Sequence, residues 1–180
     1  MVALYIMLAL RIITYHSNIC DEIKTIRFIN VINNNYPQDS LITNKTDSLI
    51  SFINHNINSY KEYNTDVDNS TERGVKKIWY NNQKEIVKTK EIDYGETGKR
   101  ISEFYFVNKI LIFAIDSLVS YKVPISINKK VQFEKINIDK YYFSKNRLCL
   151  WKNNQGIIDK KKYGKKENEI MEEVNELLHQ

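Results

Sequence analysis

The chain has 180 residues and carries 27 Lys and Arg against 22 Asp and Glu, a net charge of +5. Apolar content of 42% excludes wholesale disorder, and the length suits one domain with a hydrophobic core. Five Gly and two Pro argue against a loop-dominated fold, and the small positive excess does not by itself imply a nucleic-acid partner.

The unbroken apolar stretch Val2 to Leu10 is too short to span a bilayer and fits the hydrophobic region of a signal peptide. No basic residue precedes it and Arg11 follows it, so the alternative is a buried N-terminal element. Export is the expectation, with residues 1–20 as leader and 21–180 as a single α+β domain. Cys20 stands where a lipoprotein cysteine would, but Ile19 occupies a place that favours a small residue. Membrane attachment is expected only through the leader or such a lipid. Cys149, between Leu148 and Leu150, reads as a small buried hydrophobe, and geometry decides whether it can pair with Cys20.

Residues 21–62 are expected to be helical. The run Asp21–Asn33 has a partial apolar stripe with acids at its start, and Asn33-Asn34-Asn35-Tyr36-Pro37 ends it. A second helix is expected to begin at Thr46 or Asp47 and to run through Leu49, Ile50, Phe52, Ile53 and Ile57 to Tyr60. Residues 64–74 are polar and read as a linker.

Residues 75–152 read as an antiparallel meander of about six to eight strands. A motif of paired aromatics, a short turn and an apolar run recurs three times, at 78–87, 104–113 and 141–151. From the last aromatic to the first apolar residue beyond the turn is five positions in two copies, Phe106 to Leu111 and Phe143 to Leu148, and six in the first, Tyr80 to Ile86. Each copy predicts a β-hairpin, although no turn has the favoured Asn-Gly. Strands are expected over 75–80, 85–93, 101–107 and 110–118. A proline-interrupted edge or bulged strand is expected over 121–127, then strands at 131–138, 140–144 and 147–151. Ile110 to Ile115 is apolar on both faces, so that strand is covered twice, or once with a partner on the other side. Residues 166–179 form an amphipathic helix, with Ile170, Val174, Leu177 and Leu178 on one stripe packed on the sheet.

The progression Tyr94-Gly95-Glu96-Thr97-Gly98-Lys99, then Tyr105-Phe106 with Asn108-Lys109 and Leu111-Ile112-Phe113, then Tyr141-Tyr142-Phe143 with Arg147-Leu148 and Trp151, precedes an acidic helix. Over residues 74–178 it resembles a set of uncharacterised exported proteins of Bacteroidetes-type bacteria. A vaguer likeness is to the tandem hairpin repeats of antitoxin-like proteins. The first resemblance implies an antiparallel meander in the cell envelope and supplies no catalytic residues.

No chemistry-bearing set emerges. Gly95 to Arg100 is similar to the end of a phosphate-binding loop, but that motif needs Gly at Asp93 and Ser or Thr at Arg100, within strand-loop-helix flanks. Asp66 to Ser70 alternates oxygen ligands like a calcium loop but lacks its glycine, and position twelve would be Lys77. His16, His55 and His179 assemble no metal pair or triad, and Glu91 with Asp93 on one strand face is explained by solvation. Catalytic, cofactor-binding and metal-binding residues are therefore assigned to none, with no cofactor expected. Lysines at 76–77, 129–130 and 160–166 read as solvated faces, which disfavours nucleic acid. The expected function is a non-catalytic exported envelope protein that binds an unknown protein or glycan across an aromatic-rich sheet. Alternatives are an immunity or antitoxin-like partner protein and a small hydrolase.

Overall fold

The computed structural model describes residues 38–67, 72–128 and 130–178. The expected leader, the helix at 21–33, Cys20, His16, His179, Lys129 and residues 68–70 of the calcium-like run lie outside the described residues.

Helix α1 (Gln38–His55) is followed by eight strands and helix α2 (Tyr163–Leu178). The strands are β1 (Lys61–Val67), β2 (Gly74–Tyr80), β3 (Ile86–Gly95), β4 (Gly98–Val107), β5 (Ile110–Tyr121), β6 (Phe133–Ser144), β7 (Arg147–Asn153) and β8 (Gly156–Ile157). They make one antiparallel sheet in sequence order, so the α+β meander expected from the sequence is the fold. Each strand pairs with the next through a short connection, the arrangement that tight turns favour.

Three hairpin turns set the register. Asn108-Lys109 and Lys145-Asn146 are two-residue turns with all four residues at positive φ, between 52° and 65°. This is the type I′ geometry that matches strand twist, reached without glycine. In the first hairpin Asn81 donates its N–H to Glu85 across a three-residue loop that ends on Lys84 at φ 60°. That third loop residue accounts for the extra position between Tyr80 and Ile86. In all three hairpins the register shifts between the two aromatics: Trp79/Tyr80, Tyr105/Phe106 and Tyr142/Phe143. The unmatched residues opposite are Val87, Ile112 and Cys149. A bulge of this kind reverses the facing of the strand beyond it.

That reversal builds two cores. Leu111 and Leu148 join Phe104, Phe106, Tyr141 and Phe143 under Ile170, Val174 and Leu177 of α2. Phe113 and Leu150, two residues further on, join Tyr105 and Tyr142 under Ile50 and Ile53 of α1. Strand β5 is thus covered on both faces within the chain, as its two-sided apolar pattern allowed.

Several expectations are corrected. Helix α1 starts at least eight residues before Thr46, so Thr46 and Asp47 are interior positions and no cap. The early turns are rich in Ser, Thr and Asn, and hydroxyls bond back to the helix, as Thr43 Oγ1 does to Ser40 O at 3.0 Å and Ser48 Oγ to Asn44 O at 2.9 Å. The helix stops at His55, and Ile57–Ser59 is a single 3₁₀ turn. Residues 61–67, read as the end of the helical part and a linker, are strand β1. It is exposed along almost its whole length, and backbone pairing with β2 defines it in place of an apolar face. The expected strand at 121–127 is a chain of turns about Pro124, whose carbonyl accepts from Ile127 N and Asn128 N, and β5 itself extends to Tyr121. Strand β6 is continuous over 133–144, where two strands were expected. The C-terminal helix begins at Tyr163, and Leu178 lies outside its buried stripe.

Helix α2 also closes the edge at β7. Glu167 accepts the Leu148 N–H at 2.7 Å, and the Tyr163 hydroxyl accepts the Trp151 N–H at 3.0 Å. These groups would otherwise be open for pairing with another chain.

Candidate functional site

Helix α1, which also reaches Ile115, packs mainly on one cross-strand row of its face. That row runs Glu62, Trp79, Lys88, Tyr105, Phe113, Tyr142, Leu150 across β1 to β7. The next row runs Asn64, Lys77, Lys90, Glu103, Ile115, Lys140, Lys152, and the one after it Asp66, Val75, Ile92, Ile101, Ser117, Ile138. A lysine-rich stripe therefore lies beside an aliphatic one. Two depressions mark this open region. One of about 440 Å³ has Lys77, Trp79, Lys88 and Lys90 on its walls, and one of about 220 Å³ lies along the edge of α1, with Asp47 and Ile50 of the helix facing Ile101, Glu103, Ile115 and Lys140.

The boundary between covered and open rows is held by one ionic network. Glu103 receives Lys88 at 2.9 Å, Lys90 at 3.0 Å and the Tyr105 hydroxyl at 2.8 Å. Burial works against the ionised Glu103, but the hydrogen bonds from Lys88, Tyr105 and Lys90 outweigh it and hold the carboxyl below its usual range. Tyr105 moves the opposite way: burial first, then the Glu103 charge, push its hydroxyl well above the ordinary value. Asn54 of α1 accepts from Lys88 at 2.9 Å and lies 3.3 Å from the Tyr105 hydroxyl, which ties the helix to the network. Glu62 on β1 accepts from Lys77 at 2.9 Å and from Trp79 Nε1 at 3.0 Å. Lys140 and Lys152 make no ion pair among the described residues, although Lys152 lies 5.8 Å from the Tyr142 ring centroid.

The paired aromatics are core and not a stacking platform. Trp79 is 7% exposed, Tyr105 3% and Phe106 1%. Next to the helix the open face presents aliphatic and cationic side chains, and at its far end it carries Tyr94, 37% exposed, and Phe133, 54% exposed and 6.2 Å from the Tyr121 ring. Neither the lysine row nor Glu103 stands out in the linear sequence. Counting residues outward from each hairpin turn, with the bulge included, would have aligned them.

The other motifs fall elsewhere. Gly95 and Gly98 flank the Glu96-Thr97 turn of the β3–β4 hairpin, where a Cβ on Gly98 would come within 2.4 Å of the Val119 carbonyl. Lys76 and Lys77 project to opposite faces, toward Glu91 at 3.3 Å and Glu62 at 2.9 Å. Glu91 and Asp93 do share one strand face, the one that carries α2, and Asp93 sits opposite Arg100 in the register. The charge of the 160–166 run is met in part by Glu169, with Lys165 3.9 Å away. Cys149 is half-buried at its bulge, donates weakly to Arg147 O, and has its thiol pushed up chiefly by burial.

Among the described residues, no group of three or more His, Cys, Asp and Glu converges to hold a metal ion, and no helix is long and apolar enough to cross a membrane. No protein-family model, curated protein or solved structure matches the chain.

Proposed function

We propose that this protein is a non-catalytic binding module whose contact surface is the part of the sheet face that α1 leaves open, and that its partner is a protein with an acidic surface. The supporting observation is the row of Lys77, Lys90, Lys140 and Lys152 against a single Glu103, laid beside Val75, Ile92, Ile101 and Ile138. Paired strand positions hold these side chains at fixed spacing, and the aliphatic row supplies area that gains by leaving water. A glycan would call for an exposed aromatic platform. Trp79 is buried and the exposed Tyr94 and Phe133 stand beyond the lysine and aliphatic rows, so for those rows a protein partner is the better fit.

Residues 1–20 are proposed as a leader that delivers the module to the cell envelope, on the strength of the apolar stretch Val2 to Leu10. The three hairpins are proposed to be copies of one unit, supported by their common register shift between paired aromatics.

The test is photo-crosslinking in the native cell from a probe at Ile138, repeated with Lys90→Glu and Lys140→Glu together. We expect a discrete adduct that the double reversal removes and that rising salt weakens. An adduct indifferent to both changes would reject the surface. N-terminal sequencing of fractionated protein tests export separately, and an intact Met1 in the cytosol would exclude it.

A further inference from the structure

The sheet ends in two different edges. Strand β7 is closed by Tyr163 and Glu167 of α2, whereas among the described residues no other element hydrogen-bonds the backbone on the outer side of β1. Strand β1 has seven residues, no proline and an unbroken register with β2, so it lacks the bulge or proline that blunts many edges.

The direction of the free groups follows from β2. Asn81 N donates to Glu85 O at 2.9 Å and Tyr94 N to Arg73 O at 3.4 Å, so odd-numbered residues here turn their backbone groups toward β3. The even-numbered residues from Gly74 to Tyr80 therefore face β1, where they meet Val67, Thr65, Tyr63 and Lys61. That leaves the N–H and C=O groups of Glu62, Asn64 and Asp66 pointing away from the sheet. Among the described residues the Asp66 carbonyl alone has a partner, the neighbouring Thr65 hydroxyl at 3.2 Å.

The side chains at this edge add a second observation. Lys61, Tyr63 and Thr65 share the face that carries α2. Tyr63 is 48% exposed and stands edge-on to Tyr80, with ring centroids 5.4 Å apart. Lys61 lies 4.8 Å from the centroid of the Tyr63 ring, and Glu176 borders a cavity with Thr65 at the end of α2. Neither Lys61 nor Glu176 makes an ion pair among the described residues. Four positions along β1, about 13 Å, separate Lys61 from Thr65, so one chain does not bring the two charges together.

We propose that β1 pairs antiparallel with β1 of a second copy of this chain, about a two-fold axis at Tyr63. Such an axis, normal to the sheet, passes between identical residues. Centring it on Asn64 would set Glu62 opposite Asp66, like charges that cost stability, and centring it on Thr65 would leave Lys61 beyond the paired strand. Centring it on Tyr63 sets Glu62 opposite Asn64, whose outward groups exchange hydrogen bonds, and Tyr63 opposite Tyr63 where side chains come closest. It also sets Lys61 opposite Thr65, beside the partner's Glu176 and the negative end of that helix. The unpaired cation of each copy meets the unpaired carboxylate of the other, which selects a second copy over a foreign strand. The pairing is separate from the lysine face and stands or falls apart from it.

The experiment is sedimentation equilibrium of the full chain at neutral pH and low salt. A monomer–dimer equilibrium is expected, with a dissociation constant of about 1–100 μM. Asn64→Pro removes an outward N–H that the fold does not use, so it should leave circular dichroism unchanged and weaken the dimer at least about tenfold. Lys61→Glu should weaken it about tenfold, and adding Glu176→Lys to that variant should restore the affinity. The charge exchange keeps the test alive if Asn64→Pro does not fold. A chain that stays monomeric to about 1 mM would overturn the proposal, as would a dimer indifferent to both Asn64→Pro and Lys61→Glu. Failure of Glu176→Lys to restore the affinity would overturn the Lys61–Glu176 contact and the register with it. A photo-crosslink from Tyr63 in the native cell that captures another protein and no second copy would give the edge to a foreign strand and refute self-pairing.

Discussion

The two faces of one sheet are built from the same hairpins yet are electrostatic opposites. On the α1 side, the row beyond the helix holds Lys77, Lys90, Lys140 and Lys152 with one Glu. On the α2 side, the corresponding row holds Glu91, Asp116 and Asp139 with one Lys. Alternation along a strand sends neighbouring residues to opposite faces, so Lys90-Glu91 and Asp139-Lys140 each divide their charges between them. A chain with a modest net charge of +5 can thereby carry two strongly unlike surfaces.

Truncation of the cores should show where the faces are alike. Phe106→Ala under α2 and Leu150→Ala under α1 remove side chains that are 1% and 0% exposed. Each is expected to cost about 3–5 kcal/mol in denaturant unfolding, with similar values for the two. A small loss at Leu150 alone would mean that α1 contributes less than α2 to holding the sheet.

The ionic networks should then separate the faces. Glu103→Ala strands Lys88, which is 8% exposed, and is expected to cost about 2 kcal/mol at neutral pH. Because the folded state holds the Glu103 carboxyl below its usual value, its contribution is present above the unfolded pKa of about 4.5 and is lost as pH falls through the folded one.

On the α2 face the sign reverses. Burial first, then neighbouring carboxylates, raise Asp93; burial outweighs Arg100 in raising Glu173. A carboxyl with a raised folded pKa favours folding while protonated, and that stability is lost as pH rises from the unfolded value through the folded one. Asp93→Asn and Glu173→Gln should therefore raise the melting temperature at neutral pH and change it little near pH ~4. Melting curves for wild type and both variants across that range check the direction. Stabilisation that persists at acid pH would assign the effect to packing instead.

The smallest expected effect lies in a turn that serves both faces. Lys109 sits at φ 65°, where a Cβ is disfavoured. Lys109→Gly creates the favoured Asn-Gly turn and should stabilise by about 1 kcal/mol in chemical denaturation, without altering the charge rows. A loss of stability would mean that the lysine side chain, 4.0 Å from Glu85, outweighs backbone relief.

Much of the hairpin order was readable because its signals are local. Paired aromatics, a turn of two or three residues and an apolar run lie within about ten positions of one another, and the one-residue difference in the first copy is a feature of its loop. Strand β1 and the first half of α1 were not readable. Lys61–Val67 has no apolar alternation, and its strand character comes from pairing with residues 74–80. The early turns of α1 carry Ser, Thr and Asn, which by themselves favour caps and turns. The candidate surfaces were the least legible. Lys90 and Glu103 touch only because β3 and β4 fold back on each other, and Arg100 approaches Glu173 only because α2 returns over the sheet.

Composition and local pattern determined that this chain would be an antiparallel meander with a C-terminal amphipathic helix, since strand period, turn chemistry and a helical stripe act over a few residues. Tertiary structure alone decided which residues share a row and which rows the helices cover. A single-residue bulge at Val87, Ile112 and Cys149 resets the facing of everything after it, and nothing in the linear pattern reports that reset.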